Sequence, residues 1–399
     1  MNNIINLFIN LNFYKMKKFF YVAAAFLAAG FVSCSDNGGD NAGVPGANDG
    51  RLPIVFSVTD GRVDIKQQAP ATRGNGAVGD IETGNNVWRG EELNVYMFDK
   101  GTLTRTKDLT GVDTDVDLFN NEVVLAPNAT TAGTALSTVE TGKYYPMSGN
   151  FDFFAYHADD AANGAVVEGA DNYTLPVLID GSQDLMVAKA DLTAGQDALL
   201  GARATDYYSA YSARRGVHPH FLFKHLLTRL VFNVKAHTEA EESVQITAVE
   251  ISNANTTADM VIAWTGAAEP AAYFLNPNNA ASVFLKERDT DDENVAKELV
   301  ALNPVSPVYY ANDETKYDRV GESLMLMPQP EYNMVVHMNQ EGKDGEKHNV
   351  SLSAKLTKQF MAGYQYNVNI TVYGLQEIKL ELELAPWLEG EDIPVDDEN

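Results

Sequence analysis

Ile378, Leu380, Leu382 and Leu384 alternate with Lys379, Glu381 and Glu383. A period of two puts every apolar side chain on one face and every charge on the other, the signature of a half-buried antiparallel strand. Pro53–Val58, Leu93–Phe98, Phe151–Tyr156 and Leu222–Val234 each read as a strand, as do Val244–Ile251, Leu324–Met327, Tyr332–Met338, Val350–Leu356 and Tyr364–Tyr373. Helical periodicity is scarce, turns rich in Gly and Asn recur, and 18 Tyr with 18 Phe fit strand vocabulary. These features predict an all-β chain built of sandwiches. A domain boundary is expected near Arg214-Arg215-Gly216, dividing 52–215 from 216–399. The stretches 127–140 and 286–298 read as surface loops.

Cys34, the only cysteine, ends an apolar run from Phe19 to Val32 that follows Lys17 and Lys18. At about 14 residues this run is too short for a spanning helix, which needs roughly 20. It reads instead as an export signal over 16–33, with Cys34 the lipidated first residue of the mature chain. Ser33 suits such a cleavage site, whereas the bulky Phe31 suits it less. The alternative is a plain secretory signal with an incidental cysteine. Met16-Lys17-Lys18 is a normal opening, so 1–15 is read as a start-site artefact. Residues 34–51 are rich in Gly, Asn and Asp and predict a flexible tether.

The leader carries Lys15, Lys17 and Lys18 and no acid, so its loss takes the formal net charge from −26 to −29. Such a surface argues against nucleic acid, which requires clustered cations to replace counterions. It also disfavours electrostatic docking on anionic lipid, leaving the acyl chains to hold the membrane. With Cys34 lipidated no disulfide can form, so stability must come from cores or a partner.

No metal site, cofactor or catalytic activity is expected. His218, His220 and His225 lie close in sequence, but Pro219 interrupts them and no third ligand stands at metal-site spacing. The acidic runs 289–293 and 396–398 lack the spacing of a calcium loop. No nucleophile elbow, zinc-protease, phosphate-loop or dinucleotide motif is present. Trp88, Trp264 and Trp387 are candidate sugar platforms, although core or interface packing suits them better.

Five stretches taken in order carry a resemblance. Ala71-Thr72-Arg73 precedes Glu92–Phe98. Tyr144-Tyr145-Pro146 leads into Phe151–Tyr156. Then come Asp184–Ala188, Phe221–Leu230, and Gly363–Tyr366 with the strand to Leu384 and Trp387–Gly390. Together they resemble the fimbrillin family, the Mfa-like pilins of Bacteroidales, over about residues 52–395. The resemblance implies two transthyretin-like β-sandwich domains in tandem. It implies export as an outer-membrane lipoprotein, palmitate-type acylation at Cys34, and cleavage by an arginine-specific protease that removes the first strand. A C-terminal strand from another subunit then fills the groove, giving a homo- or heteropolymeric fimbrium (pilus) on the cell surface. Carried onto this chain, Arg73 is the first candidate for the cleaved bond. Arg51 would leave Ile54–Val58 in place, and Arg62 lies directly behind the strand. The donor is assigned to the tail, with Ile378, Leu380, Leu382, Leu384, Trp387, Ile393 and Val395 as its apolar residues. Whether 378–384 stays in its own sheet is left open, because Pro386 and Pro394 limit how far the remainder can pair. The rivals are an uncleaved lipid-anchored surface adhesin, engaging a host or bacterial ligand, and a carbohydrate-binding lipoprotein.

Overall fold

The computed structural model describes residues 51–59, 91–108, 116–126, 137–201, 208–288, 299–341, 347–375 and 377–385. The expectations for 1–15, the signal at 16–33, Cys34, most of the tether, Arg62, Arg73, Trp88, Trp387, Ile393 and Val395 fall outside these residues. The described chain is almost all strand. Its two described α-helices are short, Ala194–Leu200 and Ala210–Ala213, each opened by a capping box at Thr193 or Ser209.

A five-stranded sheet organises the N-terminal part. Its order is Lys224–His225, Met186–Lys189, Phe151–His157, Glu92–Asp99 and Asn120–Leu125. Every residue of Phe151–His157 is buried, so this sheet has no solvent face there. Alternate residues serve two different cores. Leu93, Val95, Met97, Phe151 and Phe153 pack with Ile54, Phe56 and Phe221 of a three-stranded sheet on one side. Tyr96, Phe98, Phe154 and Val187 pack with Tyr173, Leu175, Met260 and Ile262 of a four-stranded sheet on the other. The result is three stacked layers. The last layer is built partly from residues beyond 215, since Thr257–Trp264 pairs antiparallel with Asn172–Leu178 and Phe274–Asn278 pairs with Thr257–Trp264.

The rest of the chain forms a two-sheet sandwich. One sheet runs Asp318–Leu326, Thr228–Ala236, Gln365–Val372 and Ile378–Ala385, and the other runs Val283–Phe284, Val244–Ile251, Glu331–Glu341 and Lys347–Thr357. Leu230, Phe232, Val368 and Ile370 meet Ile246, Val249, Met334 and Val336 between them. The loop at Gly181 packs onto this sandwich: its carbonyl accepts from Met325 N at 2.8 Å. Gly181 holds φ +95°, and an added Cβ would lie 2.6 Å from Val283, so only glycine fits.

The run expected as one strand over Leu222–Val234 is instead three pieces in three sheets: His220–Leu222, Lys224–His225 and Thr228–Ala236. Its apolar side chains explain the breaks. Phe221 and Phe223 enter the first core, Leu226 and Leu227 the second, and Leu230 onward the third. One face cannot serve three cores, so the strand must turn twice. The loop reading of 127–140 and 286–298 also needs correction at its edges. Ser137–Tyr144 and Lys286–Arg288 are strands, each paired antiparallel with a partner.

His157 closes the end of its strand. Nδ1 lies 2.9 Å from the Glu92 carbonyl and Nε2 2.8 Å from Asp159 Oδ1. Burial pulls its pKa down, but the Asp159 hydrogen bond and charge outweigh burial and raise it overall. A raised folded pKa gives stability that is full below the unfolded value of about 6.5 and is lost as pH rises through the folded value. The stability gap between the protein and His157→Gln should therefore be wider at pH 5.5 than at pH 8.5 by urea titration. A gap that is constant, or wider at high pH, would refute this account.

Candidate functional site

Pro53–Thr59 is the middle strand of the three-stranded sheet. It pairs antiparallel with Ser137–Tyr144 and parallel with His220–Leu222. Alternation turns Ile54 and Phe56 inward, where they are 0% and 1% exposed. Phe56 sits in an aromatic cage, with ring centroids 5.3 Å from Phe119, 5.5 Å from Phe153 and 5.3 Å from Phe221. Burying the two side chains contributes roughly 3–6 kcal/mol before chain ordering is subtracted.

Polar contacts hold the strand on both edges. Thr141 Oγ1 donates to the Ile54 carbonyl at 2.6 Å, and Ser57 N donates to the Pro219 carbonyl at 2.9 Å. Ser57 Oγ lies 3.0 Å from His220 Nδ1. Burial lowers the His220 pKa despite nearby Asp191, so the ring is neutral at pH 7 and Nδ1 can accept from the hydroxyl. Ahead of the strand, the Arg51 guanidinium lies 4.7 Å from the centre of the Tyr144 ring. Without this strand both flanking strands would show unpaired edges, and Phe119, Phe153 and Phe221 would line an empty channel.

Ile378–Ala385 forms the opposite element, an edge strand paired antiparallel with Gln365–Val372 in a register from Val372↔Ile378 to Gln365↔Ala385. Ile378, Leu380, Leu382 and Leu384 are half-buried against the third core. On the outer face Lys379 and Glu381 pair at 2.8 Å, both more than half exposed, a contact of little worth. The apolar side of this strand is thus engaged within its own sandwich.

Two other sequence candidates have structural partners, whereas the His218 Nδ1 atom is buried without a hydrogen-bond partner. His225 Nδ1 is 3.0 Å from Asp184 Oδ1. Trp264 is 6% exposed, edge-on to Phe154 at 4.9 Å and to Tyr273 at 5.8 Å, so no ring face is free for stacking. Among the described residues no three metal-binding side chains come together, and no helix is long and apolar enough to cross a membrane. Sequence reading missed the cage around Phe56. Its members come from four separated segments, and Phe119 lies just ahead of the strand Asn120–Leu125, where no strand was expected.

The fimbrillin-like family model matches residues 81–387, beginning after the first strand and ending at Trp387. Among solved structures, a fimbrial protein from Bacteroides vulgatus is similar at 14% identity, covering 84% of this chain and 99% of that one, with a TM-score of 0.45. The fimbrial anchor protein Mfa2 from Porphyromonas gingivalis is similar at 10% identity, covering 84% and 98%, with a TM-score of 0.34. No curated protein sequence matches the chain.

Proposed function

The chain belongs to the fimbrillin-like family, and from that premise we propose that it is a structural fimbrial subunit without enzymatic activity, assembled by exchange of β-strands. It is exported as a lipoprotein held in the outer membrane through Cys34. An arginine-specific protease cuts after Arg73, and a neighbouring pilin subunit supplies the strand that replaces Pro53–Thr59. The mature subunit then resides in a fimbrium at the cell surface.

One observation carries this reading. The strand ahead of Arg73 is the central strand of its sheet, and its phenylalanine fills a closed aromatic cage. Cutting between 59 and 91 would separate that strand from the rest of the chain without severing any other strand among the described residues. What remains is an apolar channel with two unpaired edges, a template for strand addition. Head-to-tail addition does not close on itself, so it yields a filament. Before cleavage the seated strand blocks the channel and keeps the precursor monomeric.

The donor is better assigned to the residues after 385 than to the whole tail. Ile378–Ala385 has eight residues in register with its neighbour, which would have to be given up on exchange. The paired register runs to Ala385, Pro386 brings no N–H that could continue a ladder, and Trp387, Ile393 and Val395 follow in the sequence as apolar anchors. In this division the edge strand fixes the base of the tail, and 386–399 reaches the next subunit.

Residues 35–399 incubated with an arginine-specific protease should acquire an N-terminus at Gly74 and form SDS-resistant ladders. Deleting 386–399 should abolish the ladders and leave cleavage intact. Resistance at Arg73, or clean cutting that yields only monomer, would sink the exchange mechanism in favour of a lipid-anchored adhesin.

A further inference from the structure

Two sheet edges flank one cavity of about 740 Å³. One is Asn120–Leu125, the last strand of the five-stranded sheet. The other is Val167–Glu168, the last strand of the four-stranded sheet laid over it. We propose that this corner docks an extended, basic segment of a partner protein, added as a further strand beside Asn120–Leu125. The cavity and the Phe56 channel lie on opposite faces of the five-stranded sheet, since Tyr96 and Tyr156 belong to the second core and Phe56 to the first. Docking here needs no cleavage.

The backbone of the edge strand can accept a neighbour. Ala126 N donates to the Glu91 carbonyl at 2.8 Å, and the register pairs Leu93 with Val124. Antiparallel alternation therefore turns the backbone groups of Val124 into the sheet and those of Val123 and Leu125 outward. Among the described residues nothing pairs with these outward groups. The side chains of Val123 and Leu125 are 50% and 59% exposed, on the face they share with their partners Asn94 and Glu92. Neither Lys nor Pro, common guards of a free edge, occurs in this strand, and its one charge, Glu122, is paired with Lys143.

The cavity decides what the added strand carries. Glu91, Glu92, Asp159 and Glu168 line it, and no lysine or arginine does. His157 meets Asp159 at 2.8 Å, and Arg105 reaches Glu168 at 2.9 Å from outside the lining. These two cations face four carboxylates, so the lining stays net negative even with His157 protonated. Glu92, exposed at the mouth, forms no ion pair among the described residues. Tyr96 adds a directed contact. It is 2% exposed, with its ring held 5.5 Å from Phe98 and 5.7 Å from Tyr173, and its hydroxyl has no hydrogen-bond partner among the described residues. Tyr156 beside it already donates to Asn121 Oδ1 at 2.7 Å. An ammonium or guanidinium entering the cavity would donate to the Tyr96 oxygen and face the carboxylates.

Register sets the spacing of the segment. Asn121, whose side chain meets Tyr156, stands on the same face as Val123 and Leu125. On an added strand the residues opposite Leu125 and Val123 meet apolar side chains, and the one opposite Asn121 stands at the cavity. The segment therefore carries two apolar residues and one Lys or Arg at alternate positions. This chain's own tail spaces Ile393 and Val395 in that way but flanks them with Glu391 and Asp397, which the cavity repels. The occupant is thus another protein rather than the tail of a second copy.

The uncleaved protein, labelled with ¹⁵N, should be titrated with the blocked peptides Thr-Lys-Thr-Val-Thr-Val-Thr and Thr-Glu-Thr-Val-Thr-Val-Thr, and with a peptide of residues 386–399. Saturable movement of the Val123 and Leu125 amide signals is expected with the lysine peptide alone. Glu92→Gln should weaken that binding several-fold at unchanged melting temperature. Val123→Pro deletes an outward N–H and should abolish binding; Glu92→Gln carries the test if the proline variant does not fold. No protease is used, so the outcome is independent of strand exchange. Absence of saturation, equal binding of the glutamate peptide, binding of the tail peptide at this edge, or undiminished binding by both variants would overturn the assignment.

Discussion

Phe56→Ala is expected to raise hydrogen-exchange rates of the Ile54–Val58 amides by about two to three orders of magnitude while leaving Leu230–Val234 and Val368–Val372 unchanged. Truncating a buried phenylalanine costs about 3–5 kcal/mol, and each 1.4 kcal/mol is tenfold in an equilibrium. The centroid distances of 5.3–5.5 Å to three other rings make Phe56 the main anchor of its strand. The cost should fall locally for a topological reason. The strand ends at Thr59, and the next described strand starts at Glu92. It can therefore leave its two neighbours without pulling any other described strand out of register. Local opening at a free energy below that of global unfolding is the behaviour required of a removable plug. If protection instead fell equally in the C-terminal sandwich, the strand would be an integral part of one cooperative unit. Removing it would then unfold the subunit rather than prime it.

The strands with the clearest periodicity were legible in the sequence. Val244–Ile251 is found with both expected ends, and Ile378–Leu384 is extended by one residue. Ile378–Ala385 presents one face to a single core, so alternation describes it, whereas the inward residues of Val244–Ile251 change parity at a bulge between Ile246 and Ala248. Phe151–His157 was visible as a strand, but its burial on both faces was not. Continuous burial reflects a second sheet laid over the first, and that sheet is completed by Thr257–Trp264 from much later in the chain. No local pattern encodes a partner some 80 residues away. The same limit hid the three-way division of 220–236, where Lys224-His225 and Thr228-Arg229 interrupt the apolar residues but nothing local says that each group enters a different core. At the candidate site, the first strand was legible from Ile54 and Phe56, whereas its central place between a parallel and an antiparallel neighbour was not.

His225→Leu is expected to cost at least about 1–3 kcal/mol in urea unfolding, the range for a buried acceptor that loses its donor, with more expected where the acceptor is charged. Asp184 and His225 have side chains with no solvent exposure, and Nδ1 stands 3.0 and 2.9 Å from the two carboxylate oxygens. Of the two groups only the imidazole brings a hydrogen to a carboxylate, so Nδ1–H donates. Leucine fills a similar volume but removes the donor, stranding a carboxylate in a core lined by Leu185, Val187, Leu226 and Leu227. The double substitution His225→Leu with Asp184→Leu should recover most of the loss, since the desolvation cost leaves with the charge. A pair whose joint removal is tolerated is retained for something besides stability, and its position suggests register. His225 lies where the chain passes from the first core to the third, between Phe223 and Leu230. A slip of one residue there would turn leucines outward in two sheets. The carboxylate accepts only one alignment, backed by Leu226 N donating to the Leu185 carbonyl at 2.8 Å. If register is its role, the double variant should be stable yet show doubled backbone resonances over 220–236. A single set of resonances would leave the pair as a tolerated polar contact, and a His225→Leu cost below about 1 kcal/mol would show that the site rehydrates.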